Sequence, residues 1–290
     1  MMYLPKPISD FLARAEIRAE HEGMSSADVY HCHALSGGKK EGYYLKVEPW
    51  SASVENEHRL YRWLYDGKRL PVPEPLFCVA AECPVDAGNS KSTEFLSAEF
   101  SSVENSAVLG RTYGYLLIRQ AKGEILRQPK YYADPVHLAR LAAEGLRLLW
   151  QVDTADCPVK GNLDEKLKLA QEELCHGSYG KLDASVPYTK DFKNHAEVFE
   201  FLVKHQPDVE PVFTHGDYCL NNFFTDGEHV TAFIDFGNGG VGDAYQDIAL
   251  CVREFIKRCP GAVPYFYEQI GITEIDEEKL RYYMLLDELF

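Results

Sequence analysis

The sequence predicts an α+β fold of two lobes, a small β-rich amino-terminal lobe and a larger, mostly helical carboxyl-terminal one. Three observations lead there. Short apolar and aromatic runs punctuated by glycine and proline mark strands in roughly the first 118 residues. Amphipathic stretches with helical spacing take over beyond about residue 124. A chain of 290 residues is also large for one core and fits two lobes that share a cleft. The expected division is 1–118, a hinge at 119–123, and 124–290.

Composition narrows the function classes. A net charge of −15 argues against nucleic acid or an anionic membrane as partner and is compatible with a cationic ligand. The start of the chain has no basic-then-apolar leader, and no apolar run approaches the roughly 20 residues of a membrane span. Eight cysteines lie scattered without a CxxC pair, as expected of reduced thiols in a cytoplasmic protein. A monomer or weak dimer is the expected assembly.

Taken in order, Ile8 to Ala15 reads as a helix with Ser9 or Asp10 as cap. Glu22-Gly23-Met24-Ser25-Ser26 is a loop between two strands, able either to connect them or to fold over phosphates through backbone N–H groups. Ser36 to Gly42 is glycine- and lysine-rich but lacks the GxxxxGK[ST] spacing and precedes a strand, so it reads as a hairpin turn. In the strand Gly42–Val47, Lys46 stands among apolar and aromatic residues. It must snorkel to a solvated edge or meet an anion. The helix Val54–Leu64 buries Leu60, Trp63 and Leu64, and Glu57 can point inward with them, Glu55 being the other candidate.

Leu70 to Leu76, rich in proline, ends that helix and starts an extended strand. Residues 80–111 are rich in Ser, Ala, Glu and Asn and show little periodicity. Tyr113 to Ile118 is a strand that leaves through a short linker. Beyond it, Val136–Gln151 (with Leu138, Leu141, Leu148 and Leu149 on one face), Leu163–Cys175 and Phe192–His205 are amphipathic helices. Asp276–Phe290 ends the chain as a helix whose apolar set is Tyr282, Tyr283, Leu285, Leu286 and Leu289.

The stretch Pro211–Ile248 organises the chain. Val212-Phe213-Thr214 runs into His215-Gly216-Asp217, Asn222 follows five residues after Asp217, and Phe223–Ile234 forms a hairpin around Asp226-Gly227 that delivers Asp235-Phe236-Gly237. Asp217, Asn222 and Asp235 should meet at one end of a small sheet. Phosphoryl transfer needs such a set: a carboxylate to orient the attacking hydroxyl, and oxygen ligands to hold Mg²⁺. Asp217 suits the first task, Asn222 and Asp235 the second. Each element alone reads as a turn or a cap. Their order mirrors the protein-kinase set, with HGD in the place of HRD.

With HGDYCLNN (215–222), FIDFGNGGVGDAYQDIA (233–249) and the terminal RYYMLLDELF (281–290), the chain resembles the aminoglycoside phosphotransferase family of kinase-like enzymes, in particular its 3′-phosphotransferases. The resemblance covers nearly the whole chain, and the 80–111 insertion is the main departure. It implies a two-lobed protein-kinase-like fold, ATP and Mg²⁺, and a cationic aminoglycoside as acceptor. It implies that Met24 and Ser25 lie over the triphosphate, that Lys46 paired with Glu57 holds the phosphates, and that the main chain of Arg119 and Ala121 meets adenine. It implies a substrate role for Asp183, for Arg253 and Glu254 on the helix after the motif, and for the tail, Asp287, Glu288 and Phe290. It also makes Asp243 the brace of the catalytic loop and Asp247 part of the following helix. The tail has its own physical argument: negative charge in the last turn of a helix is disfavoured unless a cation compensates it. Asn238 stands where many of the family have Arg, and the loop 181–193 offers only Asp183 and Asp191 as acids. Two other readings stand beside this one: a kinase of another small alcohol, such as choline, a sugar or a macrolide, and a nucleotide-binding pseudoenzyme that regulates a partner.

Overall fold

The computed structural model describes residues 3–20, 27–36, 39–83, 112–161, 163–176 and 181–290. The chain falls into two compact units, one of residues up to Tyr65 with Pro73–Gln120, the other of Asp66–Val72 with Ala121–Phe290. The mixture is α+β.

The first unit runs α1 (Lys6–Leu12), β1 (Glu16–Glu20), β2 (Asp28–Ser36), β3 (Lys39–Pro49), α2 (Ala52–Asp66), β4 (Pro75–Glu82) and β5 (Thr112–Arg119). Its five strands form one antiparallel sheet in the order β1-β2-β3-β5-β4. Along β3 the side chains alternate: Tyr43, Leu45 and Val47 are buried against Ile8 and Leu12 of α1, whereas Tyr44, Lys46 and Glu48 take the opposite face. On α2, Val54, Glu57, Leu60, Tyr61 and Leu64 are buried.

Two expectations change here. The first helix begins earlier, at Lys6, because Pro5 and Pro7 preset its first turn. Ser9 and Asp10 therefore lie inside it, Ser9 bonding the Lys6 carbonyl and Asp10 pairing with Lys6, and neither is the cap. Residues 80–82, counted with the stretch 80–111, also belong to β4, since Ala80, Ala81 and Glu82 pair with Gly114, Tyr113 and Thr112. Residues 84–111, the turn at Gly37-Gly38, and Met24 and Ser25 lie outside the described residues.

The second unit contains β6 (Glu124–Ile125), α3 (Pro129–Tyr132), α4 (Pro135–Trp150), α5 (Leu163–His176), α6 (His195–Lys204), β7 (Pro211–Thr214), β8 (Phe223–Thr225), β9 (Val230–Phe233), β10 (Gly240–Asp243), α7 (Ala244–Arg258), α8 (Val263–Ile270) and α9 (Glu277–Asp287). Asp134, Asn194, Asp243 and Asp276 cap α4, α6, α7 and α9 by accepting main-chain N–H groups of the first turn. On α4 the buried face is Leu138, Leu141, Leu146 and Leu149, with Leu146 in place of the expected Leu148. Two small sheets serve the site, β10 with β7 and β6-β8-β9. The β8–β9 connection spans Asp226 to His229, closed by the Asp226 carboxylate accepting N–H groups from Glu228 and His229. No described helix is long and apolar enough to cross a membrane.

Candidate active site

The site begins where β7 ends. Phe213 and Thr214 are buried, and the chain then turns sharply through Gly216 at φ +85°. A Cβ there would stand 2.0 Å from the Asn238 carbonyl oxygen, so only glycine fits. This explains why HGD takes the place of HRD: the backbone of 238–239 occupies the space a side chain would need. Asp247, fully buried on α7, accepts the N–H of His215 at 2.7 Å and of Gly216 at 2.9 Å. Gln246 donates to the Gly216 carbonyl at 3.1 Å. Asp243 instead caps α7 through Tyr245 N–H and pairs with Lys279 at 2.9 Å. The roles expected of Asp243 and Asp247 are thus exchanged. The residue just ahead of a helix serves its N–H groups, and the one a turn later reaches back to the loop.

His215 is buried and structural. Its Nε2 lies 2.8 Å from the Ile234 carbonyl, which can only accept, so Nε2 carries the proton and Nδ1 is left to accept from Asp217 N–H at 3.4 Å. Tyr218, fully buried, donates its hydroxyl to the Ala142 carbonyl at 2.8 Å and stacks on Phe223. The loop is therefore held to α4, α7 and the β8–β9 hairpin.

Between these anchors stand the three predicted residues. Asn222 donates its amide to the Asp217 carboxylate at 2.8 Å and to the Asp217 carbonyl at 2.9 Å. That leaves the amide oxygen of Asn222 as its second face. Ile234 N–H bonds the Asn222 carbonyl at 2.9 Å, so the hairpin sets Asn222 beside the residue that precedes Asp235. Asp235 adopts φ +66°, in the left-handed region that few non-glycine residues enter. Among the described residues no three His, Cys, Asp or Glu gather as a metal cage. Mg²⁺ does not ask for one, since it binds through one or two carboxylates with phosphates and water. The oxygen donors of Asn222 and Asp235 fit that habit.

Around this centre α7 and the chain terminus form an ion-paired cluster. Arg253 pairs closely with Asp287, Lys257 with Asp183 at 2.7 Å, and Glu288 accepts the Asp183 N–H at 2.9 Å. The Lys257 ammonium, with help from Ser185, holds the Asp183 carboxyl well below the usual carboxylate range. The tail's negative charge therefore has an internal cation in Arg253. Glu254 is buried and paired with Arg258 at 3.0 Å, and Phe290 is exposed. Asp183, Arg253, Asp287 and Glu288 are brought together; Glu254 is turned to a partner on its own helix.

In the first unit, Lys46 lies 2.9 Å from Glu57 and 3.1 Å from Glu48, while Glu55 is exposed. Glu57 is only 2 % exposed and therefore needs its cation. The Arg119 N–H is spent on the Glu74 carbonyl at 2.9 Å, so a base-pairing role there would fall to its own carbonyl. Its guanidinium is held by Glu41 and Glu74.

Sequence reasoning missed Glu48, Lys257, Tyr218 and Cys219. Glu48 carried a signal, since in a strand i and i+2 share a face. Lys257 and Tyr218 depend on packing across elements distant in sequence, whereas Cys219 meets Asp217 two residues away through the shape of the turn.

With the geometry in hand, the chain can be set beside known proteins. A model of the phosphotransferase enzyme family matches residues 18–283. An aminoglycoside 3′-phosphotransferase of Niallia circulans is 30% identical over 292 residues, 99% of this chain and 97% of that protein. One of Enterococcus faecalis is 32% identical over 283 residues, 93% of this chain and 91% of that protein. The crystal structure of a type VIII aminoglycoside-3′-phosphotransferase shares the fold with a TM-score of 0.72 at 24% identity, covering 95% of this chain and 94% of that one. An aminoglycoside phosphotransferase of Streptomyces rimosus, solved with ADP and streptomycin, shares it with a TM-score of 0.65 at 21% identity, covering 92% and 94%.

Proposed function

Because this chain belongs to the phosphotransferase enzyme family, we propose that it transfers the γ-phosphoryl group of ATP to a hydroxyl of an aminoglycoside, the 3′-OH, and so confers resistance to that class of antibiotic. The observation that carries the reading is the Asp217 carboxylate held by Asn222 at 2.8 Å, at the end of the hairpin that delivers Asp235. The 3′-phosphotransferase relatives, similar over nearly their whole length, support the acceptor. So does the gathering of Asp183, Asp287 and Glu288 beside α7, where ammonium groups would find carboxylates.

In this reading Asp217 accepts a hydrogen bond from the acceptor hydroxyl and orients its oxygen toward the γ-phosphorus. As the new O–P bond forms and the bond to the β-phosphate oxygen breaks, the hydroxyl proton passes to Asp217 and ADP leaves. Lys46, fixed by Glu57, pairs with the nucleotide phosphates. Asn222 and Asp235 would hold Mg²⁺, whose charge offsets that of the phosphates. The Arg119 carbonyl and the Ala121 N–H would serve adenine, with Met24 and Ser25 over the triphosphate. Eight cysteines scattered without a CxxC pair accord with action in the reducing cytoplasm.

Coupled measurement of ADP release tests the reading, with kanamycin and a panel of aminoglycosides that includes members lacking the 3′-OH. Turnover with 3′-hydroxylated members and none with the deoxy ones is expected. Turnover confined to choline, a sugar or a macrolide would overturn it.

A further inference from the structure

The turn that carries Asp217 also carries Cys219, whose thiol lies 2.9 Å from Asp217 Oδ1. The other carboxylate oxygen, Oδ2, receives the Asn222 amide at 2.8 Å. We propose that Cys219 is a positioning residue for Asp217: its S–H and the Asn222 N–H each hold one oxygen, so that the carboxylate cannot swing about its Cβ–Cγ bond. The inference rests on Asp217 being the residue that receives the hydroxyl proton.

The local backbone makes the contact reproducible. Cys219 N–H bonds the Asp217 carbonyl at 2.9 Å, and Asn222 N–H bonds the Cys219 carbonyl at 3.0 Å. The flanking Tyr218 and Leu220 are fully buried, which leaves Cys219 one side of the turn to occupy, the side of the carboxylate. A carboxylate offers about four lone-pair directions. One donor on each oxygen leaves room for the acceptor hydroxyl. A thiol is a weak donor, so it fixes direction while withdrawing little of the basicity that a Lys or Arg contact would remove.

A nucleophilic or redox role for this thiol is disfavoured by its surroundings. Burial first, then the negative charge of Asp217, push the thiol far up, with Glu254 acting in the same sense and Arg253 opposing. It stays S–H, which is the form that can donate.

Steady-state kinetics on the full chain, with MgATP and a turned-over aminoglycoside, test the proposal. Cys219→Ala and Cys219→Val should lose turnover by about tenfold or more, the scale of a hydrogen bond to a charged group. KM for both substrates and the melting temperature should stay near the parent's. Cys219→Ser, which keeps a donor, should recover most of the loss. Parent-level turnover in Cys219→Ala, or a Ser variant as slow as the Ala one, would overturn the proposal. Asp217→Asn is assayed beside them. If it keeps turnover, the base assignment falls and takes this inference with it; if it loses turnover while Cys219→Ala does not, only Cys219 falls. A further measurement needs no substitution at Cys219. Alkylation of Cys219 by iodoacetamide, followed by peptide mass, should be several-fold faster in Asp217→Asn than in the parent, and equal rates would overturn the contact.

Discussion

The Asp247 carboxylate receives the main-chain N–H of His215 at 2.7 Å in a fully buried setting, and its second oxygen takes the N–H of Gly216. Burial pushes this carboxyl up from its usual range, and the two N–H bonds and the nearby His215 and Lys166 act against that. In Asp247→Asn the amide must turn its NH₂ toward one of two donors. One buried N–H is then unmet, at a cost of about 1–3 kcal/mol. The variant should melt several degrees lower and lose turnover through misplacement of Asp217. A variant with parent melting temperature and rate would show that the brace is dispensable.

Gly145, inside α4, answers to the same loop. A Cβ at that position would lie 2.0 Å from the Tyr218 hydroxyl, whose ring is rigid and buried. In an ordinary helix, replacing glycine with alanine is favourable by about 1 kcal/mol. Gly145→Ala should do the reverse, lowering both melting temperature and turnover, while Tyr218→Phe with Gly145→Ala should restore part of the stability. Thermal unfolding of the single and double variants decides it.

These two anchors mark where the sequence stops being readable. The strands around Lys46, the helices α4, α5, α6 and α9 and the hairpin to Asp235 follow from local periodicity and turn chemistry, whereas α3 and α8 had no such signal. Asn222 could be placed because its spacing from Asp217 is itself local. Asp243 and Asp247 could not be told apart, since both are carboxylates near one helix start. Which one caps and which one reaches the loop depends on the depth of β7. The Arg253–Asp287 pair joins residues 34 apart in sequence, and no local pattern announces it. The tail's charge was visible; its internal partner was not.

If Asp235 holds Mg²⁺ as proposed, Asp235→Ala should abolish Mg²⁺-dependent turnover, because a hard oxygen ligand would be lost and the phosphate charge left unopposed. The left-handed backbone at φ +66° also becomes less favourable for alanine than for aspartate. Asp235→Asn separates the two effects: it tolerates the backbone and weakens only the ligand. Titrating Mg²⁺ against the rate of each variant should show the Asn form active only at raised metal. A rate independent of both changes would remove Asp235 from the metal role.

His58 gives the first unit a pH dependence. It is 7 % exposed, and burial, with the charges of Arg62 and Lys46, lowers it from 6.5 to about 4. Between those values the unfolded chain binds more protons than the folded one, so stability falls as the pH drops through that window. The single group accounts for roughly 3 kcal/mol across it. His58→Phe keeps a ring against Trp50, which His58 meets edge-on at 5.4 Å. Melting temperatures at pH 7 and pH 4.5 should differ less for this variant than for the parent. Equal differences would mean that His58 is not the group titrating.

The tail poses the sharpest question, because its acids already have internal partners. Asp287 is paired with Arg253, Glu288 with the Asp183 N–H, and Asp183 with Lys257. A substrate ammonium must therefore compete with, or add to, an existing network. Truncation is a poor test, since Leu289 is fully buried and its removal would open the core. Asp287→Asn with Glu288→Gln keeps the shape and removes two charges. If these carboxylates meet the antibiotic, KM for aminoglycosides should rise about tenfold or more while KM for ATP changes little. The rise should grow with the number of ammonium groups on the substrate and shrink at high salt, where screening already weakens such pairs in the parent. If the acids serve only Arg253 and the Asp183 loop, the double variant should instead melt lower and shift every KM alike. An unchanged KM across the aminoglycoside panel, in a variant that melts with the parent, would remove the tail from substrate recognition.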